Sequence, residues 1–521
     1  MDYEMNSDTK GLTTGAVHEA EVDQLHLRLD VLLNPDDEAA KILINYSSAN
    51  PHLTSWTEDE ENRLKRKVDF RLMPILCLIY GMQYYDKAMI SQAALFGFRE
   101  ELHLTTGTRF SMASAIFYLG FMVGAYPVMV LAQKFPIERV AASIVVLWGA
   151  CVMTTPACVS YKGLFTQRFF LGFLESGISP MWMVIVGSWY KKNEQALRLG
   201  IWYSTTGYVS VFSPLVNYGL GHIEGPLSNW TYMYFFAGAC TIVTGVVAWF
   251  VLQPDPVTAD YLCERERYIL FARLRTNNSG IRNQHWKKEQ VVELFCDVKF
   301  WLVFSMAACG MVNNGVVSTY MPQVVVGWGY SSLTTLLLIL PAGAYAGTLV
   351  VLSTYCAMKF AHIRTWLILA AQCLTTLSNI LMWQLPRDEQ GGLLFALYIL
   401  PSTSATYALL MGLQIANTAG YTKRALASSG LYIGYCLGNF VGPLVFLARE
   451  KPEYPTGFII TFITAAAAGV MGFAYRLVCQ HDNRKRDREG VHEGFDHAFE
   501  DPTDQVVCPA AADPARTRSL T

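Results

Sequence analysis

Twelve long apolar segments constrain the fold of this chain more than any other feature of its sequence. A helix that spans a bilayer needs about 20 mainly apolar residues. Runs of that length and character recur along the chain. The segments lie at roughly 72–95, 110–132, 140–159, 164–187, 199–221, 231–252, 301–321, 332–357, 365–385, 391–414, 425–447 and 456–475. The sequence therefore predicts an all-α integral membrane protein with twelve transmembrane helices.

The composition agrees with a membrane protein and argues against several other classes. Of 521 residues, 52% are hydrophobic and 16% charged, whereas about a quarter of a soluble chain is charged. The net charge of -2 gives no basic surface of the kind that binds nucleic acid. The twelve cysteines are scattered without a zinc-type spacing, so we interpret them as small core residues. No metal and no cofactor are predicted.

The segments divide into two groups of six, separated by a charged stretch. The loops "KFPIER" at 134–139 and "KFAHIR" at 359–364 keep the same Lys-Phe and Arg spacing. Parallel duplication of this kind is known among transporters, so we predict two pseudo-symmetric six-helix bundles. The predicted organisation is an N-terminal tail (1–68), a first bundle (69–252), a linker (253–300), a second bundle (301–479) and a C-terminal tail (480–521).

The distribution of Lys and Arg predicts the orientation of the chain. Both tails, the linker and one set of short loops hold most of these residues, and such loops face the cytosol. Both termini are therefore expected to be cytosolic. Just before the first span, Thr57 and Glu60 fit a capping box, followed by basic residues, which predicts a surface helix leading into the membrane.

Glycine recurs at four-residue intervals in the eleventh segment, at Gly430, Gly434, Gly438 and Gly442. Such a stripe lets a neighbouring helix backbone approach closely. Two interpretations remain open for it: tight static packing, or a smooth face that moves during transport.

Four ionised side chains lie within the twelve segments: Asp86 and Lys87 in the first, Arg168 and Glu175 in the fourth. Each charge costs at least about 2.5 kcal/mol at mid-membrane, so an uncompensated set would oppose insertion by about 10 kcal/mol. These side chains are therefore expected to face the bundle interior or a wet cavity.

Helix geometry predicts how the four charges pair. Arg168 and Glu175 are seven residues apart and share one helix face, while Asp86 and Lys87 point about 100° apart. Pairing is thus expected between helices, with Asp86 near Arg168 and Lys87 near Glu175 as one arrangement. The alternative is an ion-pair network that only pins two helices together, although apolar residues could do so without the desolvation cost.

The second half carries polar, uncharged candidates at similar depth: Asn313, Asn314, Tyr320, Tyr398, Ser402, Thr406 and Asn439. Of these, Asn313, Asn314 and Tyr398 are the predicted substrate-binding residues. As a group they could line the opposite wall of a cavity and bind substrate. For any single one, the alternative is a satisfied hydrogen bond between helices.

Several motifs over residues 65–480 resemble the major facilitator superfamily, and within it the fungal allantoate permease group of anion:cation symporters. They are "DFRLMP" (69–74), the Asp86 pair, "RFFLGFLESGISP" (168–180), "WYKKNEQALR" (189–198), "ANTAGYTKR" (416–424) and "GNFVGP" (438–443). The resemblance implies proton-coupled uptake of small organic anions such as vitamins, ureides, sugar acids or other carboxylates. It also implies that Asp86 and Glu175 handle protons while Lys87 and Arg168 meet the substrate carboxylate.

The chain departs from the family pattern at two places. Lys87 stands where the family usually has Arg. Lysine lacks the planar guanidinium that binds a carboxylate through two hydrogen bonds, so the sequence leaves the identity and the anionic character of the substrate open. The family's loop signature is reduced to Lys134, Glu138 and Arg139. Together with Lys359 and Arg364 of the matching loop, these residues are still expected to latch a gate.

The resulting hypothesis is a secondary active transporter that works by alternating access, as a monomer in the plasma membrane. Its partners would be a small organic anion, protons and the lipid bilayer. A proton-coupled exporter of the same fold and a nutrient sensor that does not transport remain alternatives. The sequence has no HExxH, GxSxG or Walker A pattern, so no enzyme is predicted; "HEGFDH" at 492–497 fits a solvated tail.

Overall fold

The computed structural model describes residues 38–50, 55–253, 255–257, 259–274, 288–360, 362–418, 421–450 and 453–489. Residues 1–37 of the predicted N-terminal tail, residues 275–287 of the predicted linker and the 492–497 motif lie outside this part of the chain. Within the described part the secondary structure is helical, with nineteen α-helices.

The first half of the chain, up to the predicted linker, contributes nine helices. They are α1 (Glu38–Ala49), α2 (Glu58–Ala93), α3 (Phe98–Glu101), α4 (Arg109–Lys134), α5 (Ile137–Met153), α6 (Tyr161–Glu175), α7 (Ile178–Trp189), α8 (Lys192–Leu220) and α9 (Asn229–Val251).

The linker and the second half contribute the other ten described helices. They are α10 (Glu264–Leu274), α11 (Lys288–Cys296), α12 (Val298–Gly327), α13 (Ser332–Leu338), α14 (Leu340–Lys359), α15 (Arg364–Gln384), α16 (Gln390–Ile399), α17 (Thr403–Ala416), α18 (Tyr421–Val445) and α19 (Pro455–Glu489).

These helices coincide with the predicted apolar segments. Nine stretches of the described chain, with closely joined helices counted as one, are long and apolar enough to cross a membrane. The other three predicted segments correspond to α2, α8 and α18. An all-helical membrane fold is confirmed.

The first predicted span and the predicted surface helix form one helix. The capping box that begins α2 is present: the Thr57 hydroxyl accepts from the Glu60 amide at 3.3 Å, and the Glu60 carboxylate accepts from the Thr57 amide at 3.1 Å. From there α2 continues for 36 residues to Ala93. The first turn contains four acidic residues. Their negative charges stabilise the helix, because its N-terminus is the positive end of the helix dipole.

Three predicted spans are each built from two helices. The eighth consists of α13 and α14, which are divided at Ile339. The fourth is interrupted at Ser176 and Gly177, directly after Glu175. The tenth is interrupted by a 3₁₀ turn at Leu400–Ser402 that contains Pro401, and proline lacks the N–H that a continuing helix would need. Glu175 consequently lies at a helix end near the middle of the fourth span.

Backbone contact between α4 and α6 places the charges of the fourth span. A Cβ atom on Gly172 would overlap the carbonyl oxygen of Phe117, and one on Gly120 would overlap that of Phe169. Only glycine permits the two helix backbones to come this close. Such close packing holds helices together in a bilayer, where the hydrophobic effect does not drive their association. Arg168 and Glu175 lie on the same helix, α6, and are held close to α4.

The glycine stripe of the eleventh segment faces α12 within the second half. A Cβ atom on Gly434 would lie 2.7 Å from the Phe304 carbonyl oxygen, and one on Gly438 would overlap that of Ala308. The structure thus agrees with the packing interpretation of this stripe.

We call the side of the molecule that carries α1, α10 and α11 the tail face and the opposite side the far face. On the tail face, Arg273 of α10 pairs with Glu61 of α2 at 3.4 Å and with Glu194 of α8. Tyr268 of α10 stacks on Tyr46 of α1 with ring centroids 4.8 Å apart.

A separate ion pair fastens α11. Lys423, near the start of α18, lies 2.9 Å from Glu293 of α11. Thus α10 is bonded to elements of the first half and α11 to an element of the second half.

Candidate substrate and proton site

Asp86 points into the first half, between α5 and α9. Its Oδ2 accepts hydrogen bonds from Trp148 Nε1 at 2.5 Å and from Thr241 Oγ1 at 3.3 Å. Its Oδ1 has no hydrogen-bond partner among the described residues. The side chain is buried, at 1% exposure, and it does not line either cavity described below.

Lys87 points in a different direction from Asp86, as the predicted 100° rotation between the two requires. Its Nζ lies 3.9 Å from Glu175 Oε2. It also lies 4.6 Å from the ring centroid of Phe121 and 5.4 Å from that of Phe117, a cation–π arrangement that gains strength away from water. The predicted pairing of Lys87 with Glu175 is present.

Arg168 is held by α9 rather than by Asp86. Its Nη2 donates to the Tyr234 hydroxyl at 2.6 Å, and no ion pair within 4.0 Å joins Arg168 to Asp86 in the described chain. Asp86 accepts a hydrogen bond from Thr241, which also belongs to α9. Along this helix Thr241 lies seven residues, and thus about 10.5 Å, beyond Tyr234. Of the arrangement predicted for the four charges, the ion pair of Asp86 with Arg168 is therefore absent from the described chain; both side chains end on α9, about two turns apart.

Glu175 has few partners for a fully buried carboxylate. Neither carboxylate oxygen has a hydrogen-bond partner among the described residues, and Gln83 Nε2 donates to its backbone carbonyl instead, at 3.1 Å. Among the described residues, Lys87 is the cation within ion-pair distance of Glu175. A carboxylate supported in this way can accept a proton without first losing a hydrogen bond.

Two adjacent cavities lie where the halves meet. The smaller, of about 20 Å³, is lined by Lys87 and Arg168 of the first half and by Ser318 and Thr319 of α12. The larger, of about 50 Å³, also includes Ser318 in its lining. Ligand sites usually measure about 300 Å³ or more, so this conformation is closed and its lining must separate to admit a substrate.

Contacts between the halves close the far face. Arg99 Nη1 donates to Gln323 Oε1 at 3.1 Å, and the hydroxyls of Ser111 and Tyr320 lie 2.5 Å apart. Both contacts join a first-half helix to α12: Arg99 belongs to α3, and Ser111 lies at the start of α4.

Buried tyrosines close the route from the larger cavity to the tail face. Tyr203 of α8 and Tyr407 of α17 meet across the two halves with ring centroids 5.2 Å apart. Each lies about one turn closer to the tail face than a cavity residue of its own helix, Thr206 and Thr403 respectively. Further tyrosine rings pack against these two, Tyr80 against Tyr203 and Tyr435 against Tyr407. We call the connected rings the tyrosine cluster: Tyr80, Tyr203, Tyr407, Tyr432 and Tyr435.

The structure separates the three polar candidates of the second half. Asn314 lines the larger cavity and donates to Asn439 at 2.7 Å. Asn313 instead belongs to a buried set of hydrogen bonds with Asn379 and Thr461. Neither Asn313 nor Tyr398 lines either of the two cavities described above. Asn313 thus fits the alternative of a satisfied hydrogen bond between helices.

The predicted gating residues lie on the tail face without pairing to one another in the described chain. Arg139 donates to the Trp249 carbonyl at 3.2 Å, and buried Arg364 donates to the Gly412 carbonyl at 3.1 Å. Lys134 and Lys359 are exposed and Glu138 is half-buried.

Sequence reasoning missed the uncharged partners of the four charges: Trp148, Thr241, Tyr234, Phe117 and Phe121. Each is an ordinary residue of an apolar helix, so only the packing of the helices reveals its role. In addition, no cluster of three or more metal-ligating side chains occurs among the described residues.

The model of the Major Facilitator Superfamily matches residues 76–443 of this chain. The chain belongs to this superfamily. An uncharacterized transporter of Schizosaccharomyces pombe is 33% identical over 437 residues, which cover 83% of this chain and 81% of the relative. The allantoate permease of Saccharomyces cerevisiae is 28% identical over 453 residues, covering 84% and 83%. Within the superfamily the chain falls in the fungal allantoate permease-like group.

A solved structure supports the same fold. The proton:xylose symporter XylE from E. coli superimposes with a TM-score of 0.63 at 13% identity, over 80% of this chain and 96% of that chain. This likeness concerns the fold alone. The superfamily match and the related transporters identify the protein as a multi-pass membrane transporter of a small-molecule substrate, and not as an enzyme.

Proposed function

We propose that this transporter takes up a small organic anion together with protons by alternating access. The observation that carries the proposal is the smaller cavity, where two cations, Lys87 and Arg168, face one space. One carboxylate, Glu175, lies within ion-pair distance of Lys87. When Glu175 is protonated, the two cations have no counter-ion within ion-pair distance among the described residues, and a substrate carboxylate would neutralise them. The printed name of the related allantoate permease agrees with an anionic substrate.

Glu175 acts as the proton site that competes with the substrate for Lys87. When Glu175 gains a proton it no longer neutralises Lys87, and the ammonium is free to bind the anion. When the site opens to the cytosol, the anion and the proton leave and the pair of Lys87 with Glu175 re-forms. Arg168, held by Tyr234 at 2.6 Å, offers its remaining donors to the same anion.

Asp86 serves as the second proton site. It does not line the smaller cavity itself but is next in sequence to Lys87, which does. Its free Oδ1 is the atom that would accept the proton. Two protons with one monovalent anion carry one net positive charge inward, which gains about 2.3 kcal/mol per 100 mV of membrane potential.

The remaining features of the proposal follow from the sequence. The two six-helix bundles (69–252 and 301–479) move relative to each other, with Lys134, Glu138, Arg139, Lys359 and Arg364 latching the gate on the tail face. The tail face and both termini lie in the cytosol, and the protein works as a monomer in the plasma membrane.

The test measures radiolabelled carboxylates entering vesicles that hold the purified full chain under an imposed pH gradient. Asp86→Asn and Glu175→Gln are expected to abolish accumulation driven by the gradient while leaving anion exchange without a gradient. Glu224→Gln, an exposed carboxylate near the far face, is the matched control and should accumulate anion normally.

A second pair of variants tests the cation. Lys87→Gln is expected to weaken the apparent affinity for the anion about tenfold or more, because a charge-assisted hydrogen bond is lost. Lys162→Gln, an exposed lysine at the start of α6, should leave the affinity unchanged.

The same vesicles separate the alternatives. Gradient-driven uptake that survives in both carboxylate variants contradicts the proposed proton sites. Accumulation only under the reversed gradient identifies an exporter, and binding without net movement identifies a sensor.

A further inference from the structure

An arginine without a carboxylate partner lies on the tail face of the second half. Arg476 of α19 donates from Nη1 to the His362 carbonyl at 2.9 Å and to the Thr365 hydroxyl at 3.3 Å. In the described chain no ion pair within 4.0 Å joins Arg476 to an acidic residue, because Asp482, the next acid of its helix, pairs with Lys299 at 3.1 Å. Neutral groups thus fix the guanidinium in place, and its charge is left for a ligand to neutralise.

Three of the five N–H groups of Arg476 are available to such a ligand. A guanidinium has five N–H donors, and both bonds given above come from Nη1. Nε and Nη2 have no hydrogen-bond partner among the described residues, and both atoms are accessible at the surface. These two nitrogens form one edge of the planar group. Arginine binds phosphate through two parallel N–H···O bonds from such an edge.

Exposed aromatic rings accompany Arg476 at the surface. Its Cζ atom lies 5.1 Å from the ring centroid of Trp366, and the Trp366 ring lies 6.4 Å from that of Phe473. The two rings are 47% and 44% exposed. Tryptophan is enriched where a spanning helix passes from the lipid tails into water. We therefore expect Arg476 at the depth of the phospholipid headgroups, with the two rings beside the adjoining parts of the lipid.

The neighbouring elements bring positive charge without acidic residues. Helices α14 and α15 contain no acidic residue, and α19 contains none before Asp482. Lys359, three residues before His362, is exposed and has no carboxylate within 4.0 Å in the described part of the chain. A phosphatidylcholine headgroup would bring a further cation to this surface, whereas that of phosphatidylglycerol carries only the phosphate charge. The charge pattern thus favours an anionic phospholipid.

The first half has a related stack at the corresponding junction of its third and sixth spans. Arg139, at the start of α5, lies over Trp249 of α9, with Cζ 4.8 Å from the ring centroid. There, however, Glu138 precedes the arginine, while the matching loop of the second half, 359–364, contains no acidic residue. The acid reduces the positive charge of the first-half junction, so the second half presents the stronger anion site.

We propose that Arg476 and Trp366 form a site for the phosphate of an anionic phospholipid in the leaflet at the tail face. Nε and Nη2 of Arg476 bind two phosphate oxygens, Trp366 and Phe473 pack against the glycerol and acyl parts, and Lys359 adds attraction for the negative charge. None of these residues lines either cavity described above, so the lipid site is separate from the proposed substrate site. In the proposed orientation the tail face meets the cytosolic leaflet, which contains anionic lipids.

Native mass spectrometry of the purified, delipidated full chain in detergent micelles tests this site, because it resolves each bound lipid by its mass. The wild type is expected to bind its first phosphatidylglycerol about fivefold or more tightly than its first phosphatidylcholine, since the choline cation is repelled by Arg476 and Lys359. An excess of inorganic phosphate should not displace the bound lipid, because the free ion makes no contact with the aromatic rings.

Four variants locate the preference. Arg476→Gln keeps a donor for the His362 carbonyl but removes the charge, so the two lipids should bind about equally. Arg476→Lys keeps the charge without the planar edge and should recover only part of the preference. Trp366→Leu should weaken phosphatidylglycerol binding about threefold through loss of the ring. Arg484→Gln is the matched control: it removes the same charge from an exposed position of the same helix, about 12 Å further along, and should leave the preference unchanged.

Each result bears on the lipid site. Equal binding of both lipids by the wild type overturns it, as does a preference that persists in Arg476→Gln. Should that variant not fold, unchanged phosphatidylglycerol binding in Trp366→Leu overturns the site instead. An equal loss of preference in Arg484→Gln shows diffuse attraction to the tail face, and displacement by inorganic phosphate shows a site for a soluble anion; both contradict the proposal. These measurements involve no transport, so their failure leaves the proposed anion uptake untouched.

Discussion

Asp86 accepts hydrogen bonds from two uncharged donors inside the first half. Trp148 and Thr241 come from α5 and α9, so this carboxylate ties the first span to two neighbouring helices. A hydrogen bond to a charged group contributes about 1.5–3 kcal/mol, more than one between neutral groups. The Trp148 indole is thus expected to stabilise the fold mainly when Asp86 is ionised.

A double-mutant cycle measures this coupling. Trp148→Phe should lower the unfolding free energy by about 2 kcal/mol in the wild-type background and by clearly less in Asp86→Asn, because the charged acceptor is gone. Unfolding in detergent micelles gives the values, with Trp249→Phe, a 40% exposed indole, as the control. Additive effects of the two substitutions would contradict the assignment.

Glu61 on the tail face predicts a dependence of stability on pH. Burial alone would raise its pKa, but hydrogen bonds from Lys191 and Trp56 outweigh this and lower the pKa below the ordinary value of 4.5. A group whose pKa is lowered by folding stabilises the protein above its unfolded pKa, and this contribution is lost as the pH falls through the folded pKa.

The wild type should therefore exceed Glu61→Gln in thermal stability at pH 6, and the difference should shrink as the pH falls below 4.5 and vanish once the pH is below the folded pKa of Glu61. Melting temperatures in micelles across this range provide the measurement. Glu58→Gln, an exposed residue of the same first turn, serves as the comparison. A difference that does not change with pH would show that Glu61 acts through packing rather than through charge.

At the scale of elements, the crossing of α4 and α6 positions the charges of the fourth span. Gly172→Ala would force a methyl group onto the Phe117 carbonyl, and such overpacking costs about 1–3 kcal/mol or more. We expect a lower melting temperature and a loss of transport, since α6 carries both Arg168 and Glu175.

Gly187→Ala is the control for this substitution. Gly187 belongs to the same span, but a Cβ atom there would meet no other atom within 4 Å. This variant should match the wild type in melting temperature and transport. Equal stability of Gly172→Ala and Gly187→Ala would exclude the close crossing.

The sequence predicted the positions of the spans because bilayer thickness sets the length of an apolar helix, and this length is visible in one sequence. It also predicted that Asp86 and Lys87 point in different directions, about 100° apart, because this angle depends only on helix geometry. The interruption after Glu175 was not predicted, because Ser176 and Gly177 are also tolerated within helices. The partner of Arg168 was not predicted either, because the rotation of α9 that presents Tyr234 is fixed only when the helices pack.

At the scale of the whole molecule, the tyrosine cluster closes one route to the cavities at an energetic cost. The hydroxyls of Tyr407 and Tyr432 are buried without a hydrogen-bond partner among the described residues. An unsatisfied buried polar group costs about 1–3 kcal/mol. When the halves separate on the tail face, water can reach these hydroxyls, so the cost favours the open conformation.

Removing the two hydroxyls should therefore favour closure. Tyr407→Phe/Tyr432→Phe is expected to raise the melting temperature in micelles while slowing transport several-fold, because opening then gains no hydration of the phenols. Tyr355→Phe, whose side chain is 45% exposed, should change neither quantity. A destabilised double variant, or one that transports faster, would contradict this account.

The anchoring of α10 and α11 has a consequence for how the polypeptide could be divided. Arg273 bonds α10 to α2 and α8, while Glu293 bonds α11 to Lys423 of α18. Residues 1–280 and 281–521, expressed from two genes in one cell, should then each insert alone, find one another in the bilayer and copurify as an active complementing pair. Covalent continuity would be needed for stoichiometric synthesis but not for the working assembly.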